Sequence, residues 1–160
     1  MSVAFVKEES AEAASETVLP AREISGRPNI VTEAGFEMLE AELERARKAL
    51  AAASSLEDIN ERRRQSAVPL RDLNYYAERI RTAELRPRPS SNDVIAFGHT
   101  VTFERDDGRI QTFRIVGEDE ADPAQGTISY AAPVAVALLG KGVRDIGHLG
   151  SHEIEVLSIS

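Results

Sequence analysis

Residues 32–50 read TEAGFEMLEAELERARKAL, and the spacing of their apolar side chains decides the first half of the fold. Phe36, Leu39, Leu43, Ala46 and Leu50 recur at steps of 3, 4, 3 and 4, the heptad seam of a helix that packs against another helix. Thr32 is placed as an N-cap, and Glu33 complements the helix dipole. Further on, Leu70, Leu73, Ala77 and Ile80 repeat the pattern at 3, 4 and 3. One seam cannot bury itself. Two in tandem pair most simply as an antiparallel coiled-coil hairpin, here expected over residues 31–86.

The turn of that hairpin falls between Ser54 and Pro69. Arms of equal length put it near residues 55–61, with Ser55 as a candidate cap and Pro69 inside the return helix, which it would kink. The alternative runs the first helix on and lets Pro69 open the second. The equal-arm reading is preferred.

Outward from the hairpin the composition changes. Arg86-Pro87-Arg88-Pro89 stops the second helix, and residues 87–92 read as a linker. Val94–Phe97 and His99–Glu104 are strand-like, Asp107-Gly108 is a hairpin turn signal, and Gln111–Val116 returns. Thr127–Tyr130 is a third short strand. Pro133 opens a short helix, Val134–Leu139, ended by Gly140, and His152–Ile159 closes the sheet. Residues 93–160 are thus a small α+β domain. Residues 1–30, rich in Ala, Ser and Glu, read as a mobile acidic tail.

Composition narrows the function. The 160 residues carry 27 acids against 19 bases, a net charge of −8, which disfavours a chain held mainly to bare nucleic acid by phosphate contacts. With no Cys, disulfides, thiolate chemistry and cysteine zinc sites are excluded. No apolar stretch approaches the roughly 20 residues of a membrane span. The start of the chain lacks a basic n-region and a long apolar h-region, so a cytoplasmic protein without membrane contact is expected. His99, His148 and His152 have no metal-ligand spacing, and Gly140-Lys141-Gly142 lacks the glycine pattern and hydroxyl of a phosphate loop.

The runs Phe97-Gly98-His99-Thr100-Val101-Thr102 and Phe113-Arg114-Ile115-Val116-Gly117-Glu118-Asp119-Glu120-Ala121-Asp122 resemble the bacterial GreA and GreB transcript-cleavage factors. So do Gly126-Thr127-Ile128-Ser129, Ala132-Pro133 and Ala137-Leu138-Leu139-Gly140-Lys141. Val31-Thr32-Glu33-Ala34-Gly35-Phe36 matches how the coiled coil of those factors begins. The resemblance covers roughly residues 31–159. It implies an antiparallel coiled-coil finger followed by an FKBP-like antiparallel sheet with one short helix. No isomerase activity follows, because fold does not confer function.

The resemblance also implies a partner and a site. Such factors dock their globular domain on RNA polymerase, insert the finger into its secondary channel, and touch nascent RNA only within that complex. They are not enzymes and hold no cofactor of their own. Two acids at the finger tip help hold a Mg²⁺ of the polymerase active centre, and Asp58 and Glu61 match that pair in type and spacing. Oxygen ligands suit Mg²⁺, and residues three apart share one face of a turn. Arg62 and Gln65 stand where the family has Asn and Tyr, and Arg62, Arg63 and Arg64 follow the acids. Residues on the docking face are, by the same resemblance, Ser129, Tyr130, Pro133 and Leu138; Asp119 and Glu120, by the charge of their acidic run, suit a basic patch on the polymerase. Each arm is about one heptad shorter than in the cleavage factors, which withdraws the tip by roughly 10 Å.

Three readings stay open at this point. The chain stimulates cleavage of backtracked RNA, or modulates elongation from the channel without cleavage, like the short-fingered regulator of nucleoside diphosphate kinase. The third is an interaction protein whose hairpin docks elsewhere. For Asp58 and Glu61, the competing reading is a solvated helix face paired with arginines.

Overall fold

Hydrogen bonds of the backbone divide this chain differently from its prolines. The computed structural model describes residues 19–160, so the first eighteen residues of the expected tail lie outside the described residues. Two compact units emerge. One holds Leu39–Arg81 together with residues 19–27; the other holds Pro28–Met38 and Thr82–Ser160.

In the first unit, α1 (Glu33–Ser54) and α2 (Ile59–Thr82) contribute 22 and 24 residues in all, with residues 55–58 turning the chain between them. The arms are nearly equal, and Pro69 sits inside α2. The cap of the return helix is Asp58 rather than Ser55, whose hydroxyl instead donates to the Ala52 carbonyl at 2.7 Å. Leu39, Leu43, Ala46 and Ala53 are buried, as a seam requires.

The seam expected on α2 is covered only in part, with Leu73 and Ile80 half-buried. Leu70 is 49% exposed and Ala77 is exposed, whereas Arg79 is 2% exposed. The N-terminal segment covers another part of α2. Arg22 sits 3.8 Å above the ring of Tyr75, 5.1 Å from that of Tyr76, and pairs with Asp72 at 3.3 Å. A guanidinium stacked on aromatic faces gains cation–π attraction as well as charge pairing. Residue 22 of the expected mobile tail is therefore held on α2.

In the second unit, β1 (Ile30–Val31) pairs in parallel with β2 (Glu84–Leu85). The Glu84 amide donates to the Asn29 carbonyl at 2.8 Å and the Arg86 amide to that of Val31 at 2.9 Å. These bonds draw residues 28–38 and 82–86 into the globular unit, so neither 30/31 nor 86/87 is a structural boundary.

Five further strands follow: β3 (Thr100–Arg105), β4 (Ile110–Val116), β5 (Thr127–Ser129), β6 (Ile146–Leu149) and β7 (His152–Ile159). Their order is β5-β4-β3-β7-β6. β4 and β5 run parallel, so the sheet is mixed rather than antiparallel as expected. Gly108, at φ +83°, turns β3 into β4 as the Asp-Gly signal implies. Val94–Phe97 forms no strand, although the Ile95 amide and carbonyl bond to Lys141 and Gly140. The curled sheet closes on a core of Ile95, Val101, Phe103, Ile115, Ile154 and Val156, covered by Ala135 and Leu138 of α3 (Pro133–Leu138). The α+β class and the order of helical hairpin, sheet and short helix are those expected. Among the described residues, no helix is long and apolar enough to cross a membrane.

Candidate functional site

The hairpin tip is built around one carboxylate. Asp58 Oδ1 accepts from the backbone amides of Asn60 at 2.8 Å and Glu61 at 2.9 Å, supplying two of the partners that a helix N-terminus leaves wanting. Those two amides, that of Glu61 first, hold the Asp58 carboxyl below its ordinary range. Glu61 occupies the third helical position of an Asp-x-x-Glu cap, but its side chain turns to its own helix. Its Oε1 accepts from the Gln65 amide at 2.7 Å, and its Oε2 pairs with Arg64. Gln65 first, then the Arg64 charge, hold that carboxyl low as well.

The three arginines do different things. Arg62 turns away from the acids, donating from Nε and a terminal nitrogen to the Leu56 carbonyl at 2.9 and 2.7 Å, and so ties down the turn. Arg64 engages Glu61, and Arg63 is exposed. One oxygen of Asp58 is spent on the cap, while both oxygens of Glu61 are engaged. A metal ion meeting this tip would find Asp58 Oδ2 open and would have to displace Arg64 and Gln65 from Glu61. Among the described residues, no group of three His, Cys, Asp or Glu converges on a common point.

The cap carries a pH dependence. A carboxyl depressed in the folded state adds stability above its unfolded-state range, and that stability is lost as pH falls through the folded value. Asp58→Ala is expected to lower the finger's thermal stability at neutral pH, and Asp58→Asn, which keeps an acceptor oxygen, to lower it much less. The difference between wild type and Asp58→Ala should close on acidification below the carboxylate range. Equal melting of the Ala and Asn variants at neutral pH would exclude the capping role.

Of the residues expected on the docking face, Leu138 is buried, Pro133 is exposed, and Ser129, Tyr130, Asp119 and Glu120 are half-buried. Leu138 is fully buried in the core and offers no surface; its helix instead exposes Val136, which is 62% accessible. Tyr130 donates its hydroxyl to the Pro28 carbonyl at 2.5 Å and meets Phe97 edge-on at 6.1 Å. Ser129 Oγ accepts from the Ala131 amide at 3.1 Å, shaping the loop before α3. Asp119 is half-buried, and Pro133 stands exposed at the start of α3.

Glu120 departs furthest from expectation. Its Oε1 accepts from the Thr32 hydroxyl at 2.5 Å, and its Oε2 from the Thr32 amide at 3.2 Å and the Gly117 amide at 3.4 Å. Thr32 Oγ1 in turn accepts from the Gly35 amide at 3.0 Å, the cap that the sequence predicted. The acidic run therefore supplies a fastening for the root of α1. Sequence reasoning missed it because the partners lie 88 residues apart. The only local sign is Gly35, a poor helix former in a first turn. Nearby, an open cleft of about 650 Å³ is lined in part by Glu33, Glu37, Arg86, Arg88 and Arg114, whose opposed charges favour neither sign of ligand.

A helical hairpin with an acid pair at its tip and, after it in the chain, a curled mixed sheet with one short helix define the class. Residues 90–160 match the family described as "Transcription elongation factor, GreA/GreB, C-term". The chain is 35% identical over 136 residues to the transcription elongation factor GreA of Chloroflexus aggregans, covering 74% of this chain and 86% of that one. It is 33% identical over 130 residues to GreA of Staphylococcus carnosus, covering 72% and 81%. Among solved structures, the GreA factor homolog Gfh1 of Thermus thermophilus is 27% identical, covering 84% of this chain and 99% of that chain, with a TM-score of 0.39. The chain belongs to the GreA/GreB family of transcription elongation factors. Members of that family assist a polymerase and do not catalyse a reaction of their own.

Proposed function

We propose that this chain is a cytoplasmic elongation factor that docks its globular unit on RNA polymerase, places its finger in the secondary channel and modulates elongation without strong stimulation of cleavage. The observation that carries the reading is the tip. Asp58 Oδ1 is used as a helix cap and both Glu61 oxygens are held by Gln65 and Arg64, so the acid pair is not poised for an ion.

A second reading, in which the tip completes the Mg²⁺ site of the polymerase and promotes cleavage of backtracked RNA, is favoured by the open Asp58 Oδ2. In that reading Asp58 and Glu61 are the metal-holding residues and the polymerase supplies the reaction. Both readings require the same docking. The full-length chain is expected to co-sediment with core RNA polymerase and to be displaced by a cleavage-competent GreA, since one channel admits one finger. Failure to co-sediment, or binding indifferent to GreA, would refute the proposal and favour a hairpin that serves another partner.

A further inference from the structure

The loop between α3 and β6 carries an arginine where the backbone favours glycine. The Asp145 amide donates to the Gly142 carbonyl at 3.1 Å, which closes a four-residue turn over residues 142–145. Its third residue, Arg144, has a φ of +72° and is the single non-glycine residue with a positive φ among the described residues. A positive φ at that place marks a type II turn, which ordinarily takes glycine or asparagine there. The turn is held from both sides. Asp145 Oδ2 accepts from the Gly142 amide at 2.7 Å, the Arg144 amide donates to the Val156 carbonyl at 2.8 Å, and the Val156 amide to that of Asp145 at 3.0 Å. Strain of this kind persists only where surrounding bonds enforce it, and it gathers at functional positions. Nothing inside the unit explains the choice of residue. The Arg144 side chain is exposed and makes no hydrogen bond or ion pair among the described residues.

The surroundings show the kind of partner it fits. Ile95 lies alongside this loop, its amide donating to the Lys141 carbonyl and its carbonyl accepting from the Gly140 amide, each at 2.8 Å. That pairing sets Val94, 52% exposed, beside a loop that shows Val143, 51% exposed. Lys141 brings a second cation with no side-chain partner among the described residues. The acids close by are engaged, Asp145 on the Gly142 amide and Asp93 Oδ2 on the Ser91 hydroxyl at 2.6 Å. A chain of net charge −8 thus presents two free cations next to exposed valines.

We propose that Arg144 is a partner-contact residue, kept at a cost in stability, and that residues 141–144 with Val94 form a docking point for a carboxylate-bearing, partly apolar segment of a protein. A guanidinium holds a carboxylate through two parallel hydrogen bonds, and arginine is enriched among the residues that dominate interfaces. The valines select a protein over a nucleic acid backbone, which has no apolar surface to match them. That the protein is RNA polymerase rests on the function proposed above; the docking point itself does not.

Binding and stability should move in opposite directions. Arg144→Gly and Arg144→Asn both suit a positive φ, and each should raise the melting temperature of the globular unit within the full chain by about 2–4 °C. Removing a merely structural arginine would lower it. The same variants should bind core RNA polymerase roughly tenfold more weakly, with a shallower dependence on salt. Arg144→Lys keeps the charge and the strain but not the planar fork, and should fall between. No rise in melting temperature in either variant overturns the proposal, as does unchanged affinity of both for a polymerase that the wild type binds.

A second measurement needs no polymerase. The peptide acetyl-Leu-Glu-Glu-Leu-Glu-amide, titrated into the wild-type chain, should shift the backbone amide resonances of residues 94–95 and 141–145, and should leave them in place in Arg144→Gly. A wild type that shows these shifts and does not bind polymerase supports the docking point and overturns the proposed function instead. Absence of the shifts, or shifts with an oligouridylate in place of the peptide, overturns the docking point.

Discussion

Leu43→Asp is expected to remove most of the helical signal of the chain while leaving the sheet folded. Leu43 lies in the buried seam of α1 between Leu39 and Ala46. The substitution deletes an apolar side chain and places a carboxylate with no partner between two helices, a cost of about 3–5 kcal/mol. A two-helix hairpin has little stability beyond its seam to absorb that loss. The core of the second unit, from Ile95 and Val101 through Val156, contains no residue of α1 or α2, so its amides should keep their protection. Circular dichroism would read the helix loss and hydrogen exchange the surviving sheet. Unchanged helix content would disprove the seam. Collapse of both units would show that the sheet needs the finger to fold.

The same contrast explains what the sequence disclosed and what it hid. The α1 seam was legible because one helix face repeats the same apolar spacing and buries it along its length. The α2 seam was legible only in part: Leu73 and Ile80 are half-buried, Leu70 and Ala77 exposed. Off the heptad, Arg22 of the N-terminal segment lies on Tyr75 and Asp72, and Arg79 is buried. Spacing reports which face is apolar and not which face is covered. β1, β2 and β6 are too short to show a pattern, and exist through partners distant in the chain or across the Gly150-Ser151 turn. The direction of β5 depends on the connection after Val116, and no alternation within the strand encodes it.

The site divides along similar lines. Asp58 and Glu61 were found at the tip because an acid pair three residues apart is a local pattern. The uses to which they are put were not local: Asp58 caps, and Glu61 is held by Gln65 and Arg64. Glu120 was assigned outward by its place in an acidic run. It points inward because a helix start 88 residues away offers an amide and a hydroxyl together. Acidic clusters in sequence are ambiguous in this way. Their charge suggests a surface, while their geometry can serve as a set of hydrogen-bond acceptors for backbone that would otherwise be unsatisfied.

On stalled, backtracked elongation complexes, the wild-type chain is expected to leave the RNA nearly intact, and two changes together should make it stimulate cleavage by the polymerase. Reach is the first obstacle. One heptad inserted after Ala46 and one before Leu73 extends the finger by roughly 10 Å while keeping the seam in register. Occupancy is the second. Arg64→Ala with Gln65→Tyr frees both oxygens of Glu61, while Arg62 stays on the Leu56 carbonyl and keeps the turn in shape. With both changes, Asp58 Oδ2 and Glu61 present two open carboxylate oxygens, which with bound waters and phosphate are a common way of holding Mg²⁺. A second ion so placed stabilises attacking and leaving oxygens in one displacement. Adding Asp58→Ala and Glu61→Ala to the lengthened, unblocked finger should then abolish the stimulated cleavage with polymerase affinity unchanged. Loss of rate without loss of binding marks groups that act in the transition state. If lengthening alone restores cleavage, reach was the whole defect and Arg64 yields to the ion. If neither change restores it despite tight binding, the tip acids are a helix cap and an ion-paired surface, and the finger modulates elongation by occupying the channel.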